Sequence, residues 1–210
     1  MDPRTIIDIS PLLSENIAPF PGDVPFRRSI SKCFSRGDTY ELSAMETSLH
    51  VGAHADAPLH YHGQGQSIEQ RSLAFYLGPC QVIEPGLRQG EGLSLHHVVN
   101  TPLDAPRVLV KTNSFADPNR WRDDFCFIEA EVIAYLAQQG VMLVGIDTPS
   151  VDPRSSSALP CHQAIFQHNL AILEGLDLRG VSPGSYTLIA LPLRIAGADA
   201  SPVRAVLLPL

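Results

Sequence analysis

No stretch of this chain stays apolar for the roughly 20 residues that a bilayer-crossing helix needs, so nothing in it reads as a membrane span. Positive charge is scarce. Lys and Arg total 15 against 22 Asp and Glu, for a net charge of −7. The cations are scattered, which excludes the basic footprint of a nucleic-acid or anionic-membrane binder. Cys33, Cys80, Cys126 and Cys161 form no C-x-x-C pair. That excludes a zinc ribbon or thioredoxin-type motif and predicts reduced, mostly buried thiols. Internal repeats, low-complexity blocks and linkers are missing too, and the 18 prolines are spread out as punctuation. The opening MDPRTIIDIS carries acids and runs directly into a strand-like pattern, unlike a secretory leader, so the expected location is the cytoplasm. At 210 residues the chain is expected to form one domain, 1–210, with a sizeable core.

What the chain does have is a series of short strand-like runs. Residues 6–9 form the first. Residues 18–23, rich in Pro and Gly, read as a rigid loop. Residues 26–34 and 40–52 read as two strands around the Gly37-Asp38 turn. Further strands are predicted at 81–84, 108–112, 186–193 and 203–208. Residues 129–139 carry Val132, Ile133 and Leu136 at helical spacing and stop at Gly140. The continuous apolar run 141–146 is the pattern of a strand buried on both faces. Strands dominate and helices are few. The predicted class is α/β, with mixed sheets that tend to curl.

The chemistry concentrates in His50-Val-Gly-Ala-His54-Ala-Asp56-Ala-Pro-Leu-His60, which places three histidines and an aspartate within eleven residues. Strand alternation puts 50, 52, 54 and 56 on one face, with Gly52 leaving room between imidazoles. Pro58 argues against a helix through the motif and places His60 beyond a turn. Two neutral imidazoles and a carboxylate suit a borderline cation such as zinc. A strand of scattered, solvated polar residues is the plain alternative. Further along, His162 sits near a helix start, and Glu174 closes the apolar run 170–173. An ionised carboxylate there is costly unless paired or metal-bound, although a charged strand end at the surface would also read this way. His168, six residues from His162, points to another helix face. Asp147 ends the buried 141–146 strand and is either a turn cap or a carboxylate orienting a histidine.

The stretch HVGAHADAPLHY resembles the signature of the cyclase-like metal-dependent hydrolases. Weaker matches extend the resemblance to the arylformamidase branch, the bacterial kynurenine formamidases. They include Phe20-Pro-Gly-Asp23, Tyr76-Leu-Gly-Pro-Cys80, Gly145-Ile-Asp-Thr-Pro-Ser150, Ala171-Ile-Leu-Glu-Gly175 and Asp199-Ala-Ser-Pro-Val-Arg-Ala205. The resemblance implies a swivelling β/β/α fold and a homodimer. It implies two zinc ions per subunit, one on His50, His54 and Asp56 and the other on His162 and Glu174, with Asp56 and Glu174 bridging. It implies His60 as acid/base and Phe20 as a substrate-lining residue, where the branch commonly carries tryptophan. The implied reaction is hydrolysis of N-formyl-L-kynurenine to L-kynurenine and formate. A sister hydrolase opening isatin or another cyclic or aryl amide, with zinc or manganese, is the alternative, and a non-catalytic metal protein the third reading.

The residue types fit amide hydrolysis. Water is a poor nucleophile at neutral pH, and zinc can lower the pKa of coordinated water to about 7. The leaving nitrogen needs a proton, and imidazole, with an ordinary pKa of about 6.5, gives and takes one near neutrality. His60 falls outside the alternation that aligns the other ligands, which favours acid/base work over coordination.

Overall fold

The computed structural model describes residues 6–210. In chain order its elements are β1 (Ile7–Asp8), β2 (Arg27–Lys32), β3 (Leu42–Glu46), β4 (His54–Asp56), α1 (Pro58–Tyr61), β5 (Leu77–Ile83), β6 (Gly92–Leu93), α2 (Leu95–Val98), β7 (Arg107–Val110), β8 (Phe127–Ile128), α3 (Ala130–Gln138), β9 (Leu143–Ile146), α4 (Pro160–His168), β10 (Ala171–Glu174), β11 (Gly184–Ile189), β12 (Ala200–Pro202) and β13 (Val206–Pro209). Nine strands form one mixed sheet in the order β1-β13-β11-β5-β7-β9-β10-β4-β12, while β2-β3 and β6-β8 pair separately. Strands β5, β7, β9 and β10 run parallel in its centre. Parallel neighbours need long crossovers, and the passages from β7 to β9 and from β9 to β10 contain α3 and α4. No helix among the described residues is long and apolar enough to cross a membrane.

The period-two pattern of the central strands divides the core into two layers. Val108, Val110, Val144, Ile146 and Ile172 face α3 and α4, where they meet Ile133, Leu136 and Ile165. The intervening Leu109, Leu143 and Leu173 face the other way, towards Ile9, Leu176, Leu188 and Leu207. The apolar run at 141–146 is therefore buried on both sides, as its composition predicts. The predicted helix at 129–139 is α3, and Gly140 follows it at φ +84°.

The structure corrects the reading of the motif region. The strand expected over 40–52 stops at Glu46 and stays in the β2-β3 ribbon, and β4 begins anew at His54 in the main sheet. His50 lies in the intervening turn, so strand alternation aligns only His54 and Asp56. Gly52 explains the break. Its φ is +64°, and a Cβ there would lie 2.7 Å from a Leu13 methyl. The glycine serves the left-handed turn and the close packing of residues 11–17 rather than spacing two imidazoles. Pro58 likewise opens a helical turn instead of preventing one. It sits in the first turn of α1, where a missing N–H leaves no hydrogen bond unmade, and His60 rides on that turn.

Candidate metal centre

Strand register assembles the site. β10 runs antiparallel to β4, pairing Glu174 with His54 and Ile172 with Asp56. Ala55 and Leu173 belong to the layer away from the helices. Alternation therefore turns His54, Asp56 and Glu174 towards α4, and α4 supplies His162. His54 is 0% exposed, Asp56 1%, His162 2% and Glu174 3%, so Glu174 is no surface strand end. The start of α4 is held by Asp152. Its carboxylate accepts the backbone N–H groups of Cys161 (2.9 Å) and His162 (3.1 Å) and the His162 Nδ1–H (2.6 Å).

Both buried carboxylates lie between histidines. Asp56 Oδ1 is 3.0 Å from His50 Nδ1 and 3.3 Å from His54 Nε2, and its Oδ2 is 3.4 Å from His162 Nε2. Glu174 Oε2 is 3.3 Å from His54 Nε2, and Oε1 is 3.6 Å from His162 Nε2. The outer ring nitrogens are engaged elsewhere: His54 Nδ1–H donates to the Gly52 carbonyl at 2.9 Å, and His162 Nδ1–H to Asp152. That leaves both Nε2 atoms directed inward. These Nε2 atoms and both Asp56 oxygens are buried without a hydrogen-bond partner, an expensive arrangement unless an ion satisfies them. His50, His54 and Asp56 each offer a ligand atom within 4.8 Å of the others, as do Asp56, His60 and His162. Imidazole nitrogens and carboxylate oxygens at this density fit a divalent cation of the zinc type.

The electrostatics agree. Burial disfavours the charged ring of His54, yet the carboxylates of Asp56 and Glu174 outweigh it and push its pKa up to about 10. His162 is likewise driven to about 10, with Asp152 and Asp56 overcoming burial. Burial raises the Asp56 carboxyl, but the surrounding imidazoles hold it well below the usual carboxylate range. The carboxylates thus demand positive charge, and protons supply it in the absence of a metal.

The other residues singled out by the sequence take different places. His60 packs against His50 with ring centroids 4.1 Å apart and the rings tilted by 40°, and its Nδ1 is 3.6 Å from Asp199 Oδ2. Its side chain is 33% exposed, unlike the buried set. Phe20 and His50 line one pocket together with Asn113, Phe115, Asp147 and Arg179. Asp147 accepts from the backbone N–H groups of Thr112 and Asn113 and from the Thr112 hydroxyl. It braces the β7 exit and orients no histidine. His168 is exposed at the end of α4. Cys161 lies in the helix-side core, and burial pushes its thiol well above the ordinary range.

Three features went unread in the sequence. Asp152 orients His162. Asp199 accepts from His50 Nε2 at 3.0 Å and approaches His60. Glu91, His96 and His97 form a separate trio at α2, with both imidazoles on the Ser94 hydroxyl. A D-P pair and a D-A-S-P run signal turns rather than ligand support, so local spacing carried no cue.

The fold and this buried set of histidines and carboxylates define a metal-dependent hydrolase of the cyclase class. The Cyclase family model matches residues 7–153, and the chain belongs to that family. Among individual proteins, it is 44% identical to kynurenine formamidase of Bordetella pertussis over 205 residues, 97% of this chain and 98% of that protein. A protein of Bacillus stearothermophilus described as a predicted metal-dependent hydrolase superposes with a TM-score of 0.80 at 26% identity, over 96% of this chain and 97% of that one. Isatin hydrolase A from Ralstonia solanacearum has a TM-score of 0.82 at 21% identity, over 98% of this chain and 92% of that one. At that identity the likeness concerns the fold alone.

Proposed function

We propose that this protein hydrolyses N-formyl-L-kynurenine to L-kynurenine and formate, as a metal-dependent arylformamidase of the tryptophan breakdown route. The observation that carries this reading is the 44% identity to a kynurenine formamidase across 97% of the chain. The inward-facing Nε2 atoms of His54 and His162 beside unsatisfied Asp56 oxygens support the metal dependence.

His50, His54 and Asp56 would hold one zinc, and His162 and Glu174 a second, with Asp56 and Glu174 shared. The split of each carboxylate between two histidine groups supports the sharing. When bound, such ions supply Lewis acidity that activates water and polarises an amide carbonyl. His60 is the acid/base. Asp199 faces its Nδ1, which leaves Nε2 to exchange a proton with the departing aniline nitrogen. The Phe20 ring, held between Pro19 and Pro21 and packed edge-on against Trp121 at 5.0 Å, offers an aromatic face to the aryl group. Burial of His54, Asp56, His162 and Glu174 shields these charged groups from bulk water.

We also read residues 1–210 as one domain, since both core layers share the one sheet, and the active form as a homodimer. The β2-β3 ribbon supports the dimer, because every residue of both strands is exposed. Ile30, Leu42 and Met45 expose large apolar side chains there, and a lone two-stranded ribbon is marginal in water.

One assay tests the function. Purified protein is given formylkynurenine and isatin, with metal content measured on the same sample. Cleavage of formylkynurenine at two zinc per chain is the expected result, and Asp56→Ala should lose both ions. Isatin opening without formylkynurenine cleavage would transfer the reading to a sister hydrolase. A fully active enzyme with one tightly held ion would overturn the two-metal arrangement.

A further inference from the structure

Formylkynurenine carries a zwitterionic amino-acid tail, and its carboxylate must settle beside a centre rich in acids. Asp56, Glu174, Asp147 and Asp199 all lie in or near the site. Recognition of the tail therefore calls for a cation whose hydrogen-bonding capacity is unspent. Arg179 lines the Phe20 pocket but is engaged by Asp177 through two hydrogen bonds of 2.8 and 2.6 Å. Arg122, on the Trp121 loop, is similarly closed by Asp124 at 2.9 and 2.8 Å.

Arg154 differs. Its guanidinium carbon sits 5.0 Å from the centroid of the Phe20 ring. Its one acidic neighbour within ion-pair range among the described residues is Asp123, at 3.8 Å and with a side chain 75% exposed. That contact is too long for a hydrogen bond and is screened by water. The Arg154 Nε is buried and has no hydrogen-bond partner, while the side chain as a whole remains 39% exposed. A guanidinium held over an aromatic face is attracted by the ring while its N–H fork stays available for a carboxylate. The placement is tied to the metal centre, since Arg154 follows by two residues the Asp152 that holds His162. One loop thus carries both the orienting carboxylate of a metal ligand and an unspent cation packed on the substrate-lining ring.

We propose that Arg154 receives the α-carboxylate of the substrate and selects amino-acid-tailed aryl formamides over tailless ones. This rests on the formamidase reading above. The aryl ring lies against Phe20, the formamide reaches the histidine and carboxylate cluster, and the tail turns towards the 152–154 loop. A charge-assisted, forked hydrogen bond of this kind makes a difference of about 10- to 100-fold in kcat/KM.

The test compares wild type with Arg154→Gln and Arg154→Lys on two substrates. One is N-formyl-L-kynurenine. The other is 2-formamidoacetophenone, the same aryl formamide with the tail cut back to a methyl ketone. Wild type should prefer the tailed substrate. In R154Q that preference should shrink by about 10- to 100-fold, through KM rather than kcat, and R154K should restore part of it. Turnover of the tailless formamide by R154Q reports that the variant is folded and metal-loaded. An unchanged preference in R154Q would overturn the assignment while leaving the formamidase reading intact. A wild type that cleaves neither formamide would remove both.

Discussion

Asp152 and His60 are the residues at which the proposed chemistry is most exposed to test. Asp152 spends one carboxylate on three N–H donors, two from the backbone of α4 and one from the His162 ring. Asn at this position keeps an oxygen for the backbone but loses the charge that favours an inward Nε2 lone pair. Asp152→Asn should therefore weaken metal binding by about 10- to 100-fold, measured by competition with a chromogenic chelator. An unchanged affinity would reduce Asp152 to a helix cap. For His60, its exposure and its position beside Asp199 predict that His60→Ala keeps its metal while turnover drops by roughly 10²–10⁴. Metal content and kcat on one preparation decide the matter, because joint loss would make His60 a ligand. At this scale the sequence singled out the imidazoles and carboxylates that the fold gathers into one cluster. Imidazoles and carboxylates among Ala, Gly and Pro have few other uses. It was silent on Asp152 and Asp199, whose partners are separated from them by ten and by 149 positions.

At the scale of elements, the site depends on two chain reversals meeting back to back. Gly175, which follows β10, has φ +64°, and a Cβ there would fall 2.2 Å from the Gly52 carbonyl oxygen. That same carbonyl accepts the His54 Nδ1–H. Gly175→Ala combines left-handed strain with a backbone clash and should destabilise the protein by about 2–4 kcal/mol. Thermal unfolding would register the change, and metal affinity should fall with it because Glu174 and His54 are the immediate neighbours. An unaltered melting temperature would mean that the two loops have room to separate. The long apolar and amphipathic runs, β9 and α3, were legible because period and composition agree with their environment. The strand before His54 is shorter than its alternation predicts, ending at Glu46. Residues 40–52 alternate well enough, but the positive φ at Gly52 and the packing of Leu13 and Ile17 against it are set by a distant part of the chain.

At the scale of the whole molecule, the β2-β3 ribbon is the part that makes least sense alone. Ile30 is 44% exposed, Leu42 51% and Met45 60%, with no core layer to receive them. If the ribbon packs on a second copy, light scattering coupled to size exclusion should give twice the mass of the 22.8 kDa chain. The double substitution Leu42→Glu with Met45→Glu should then shift the protein towards monomer. A wild type that runs as a monomer at micromolar concentration would dismiss the dimer.

The local chemistry of the chain pointed to a divalent-metal site, and the resemblance of its motifs to the cyclase-like hydrolases supplied the reaction class. His50, His54 and Asp56 lie close in sequence, and side chains of this kind are suited to a cation wherever the backbone takes them. Strand content and the doubly buried centre of the sheet followed from period and apolar composition, which are local properties as well. The register of β10 against β4, which sets Glu174 opposite His54, was beyond such reading. So were the turn of α4 that swings His162 over Asp56 and the loop that delivers Arg154 to Phe20. Each is a contact between segments far apart in the chain. Their energies depend on the packing of the two core layers, and only the folded molecule sets that packing.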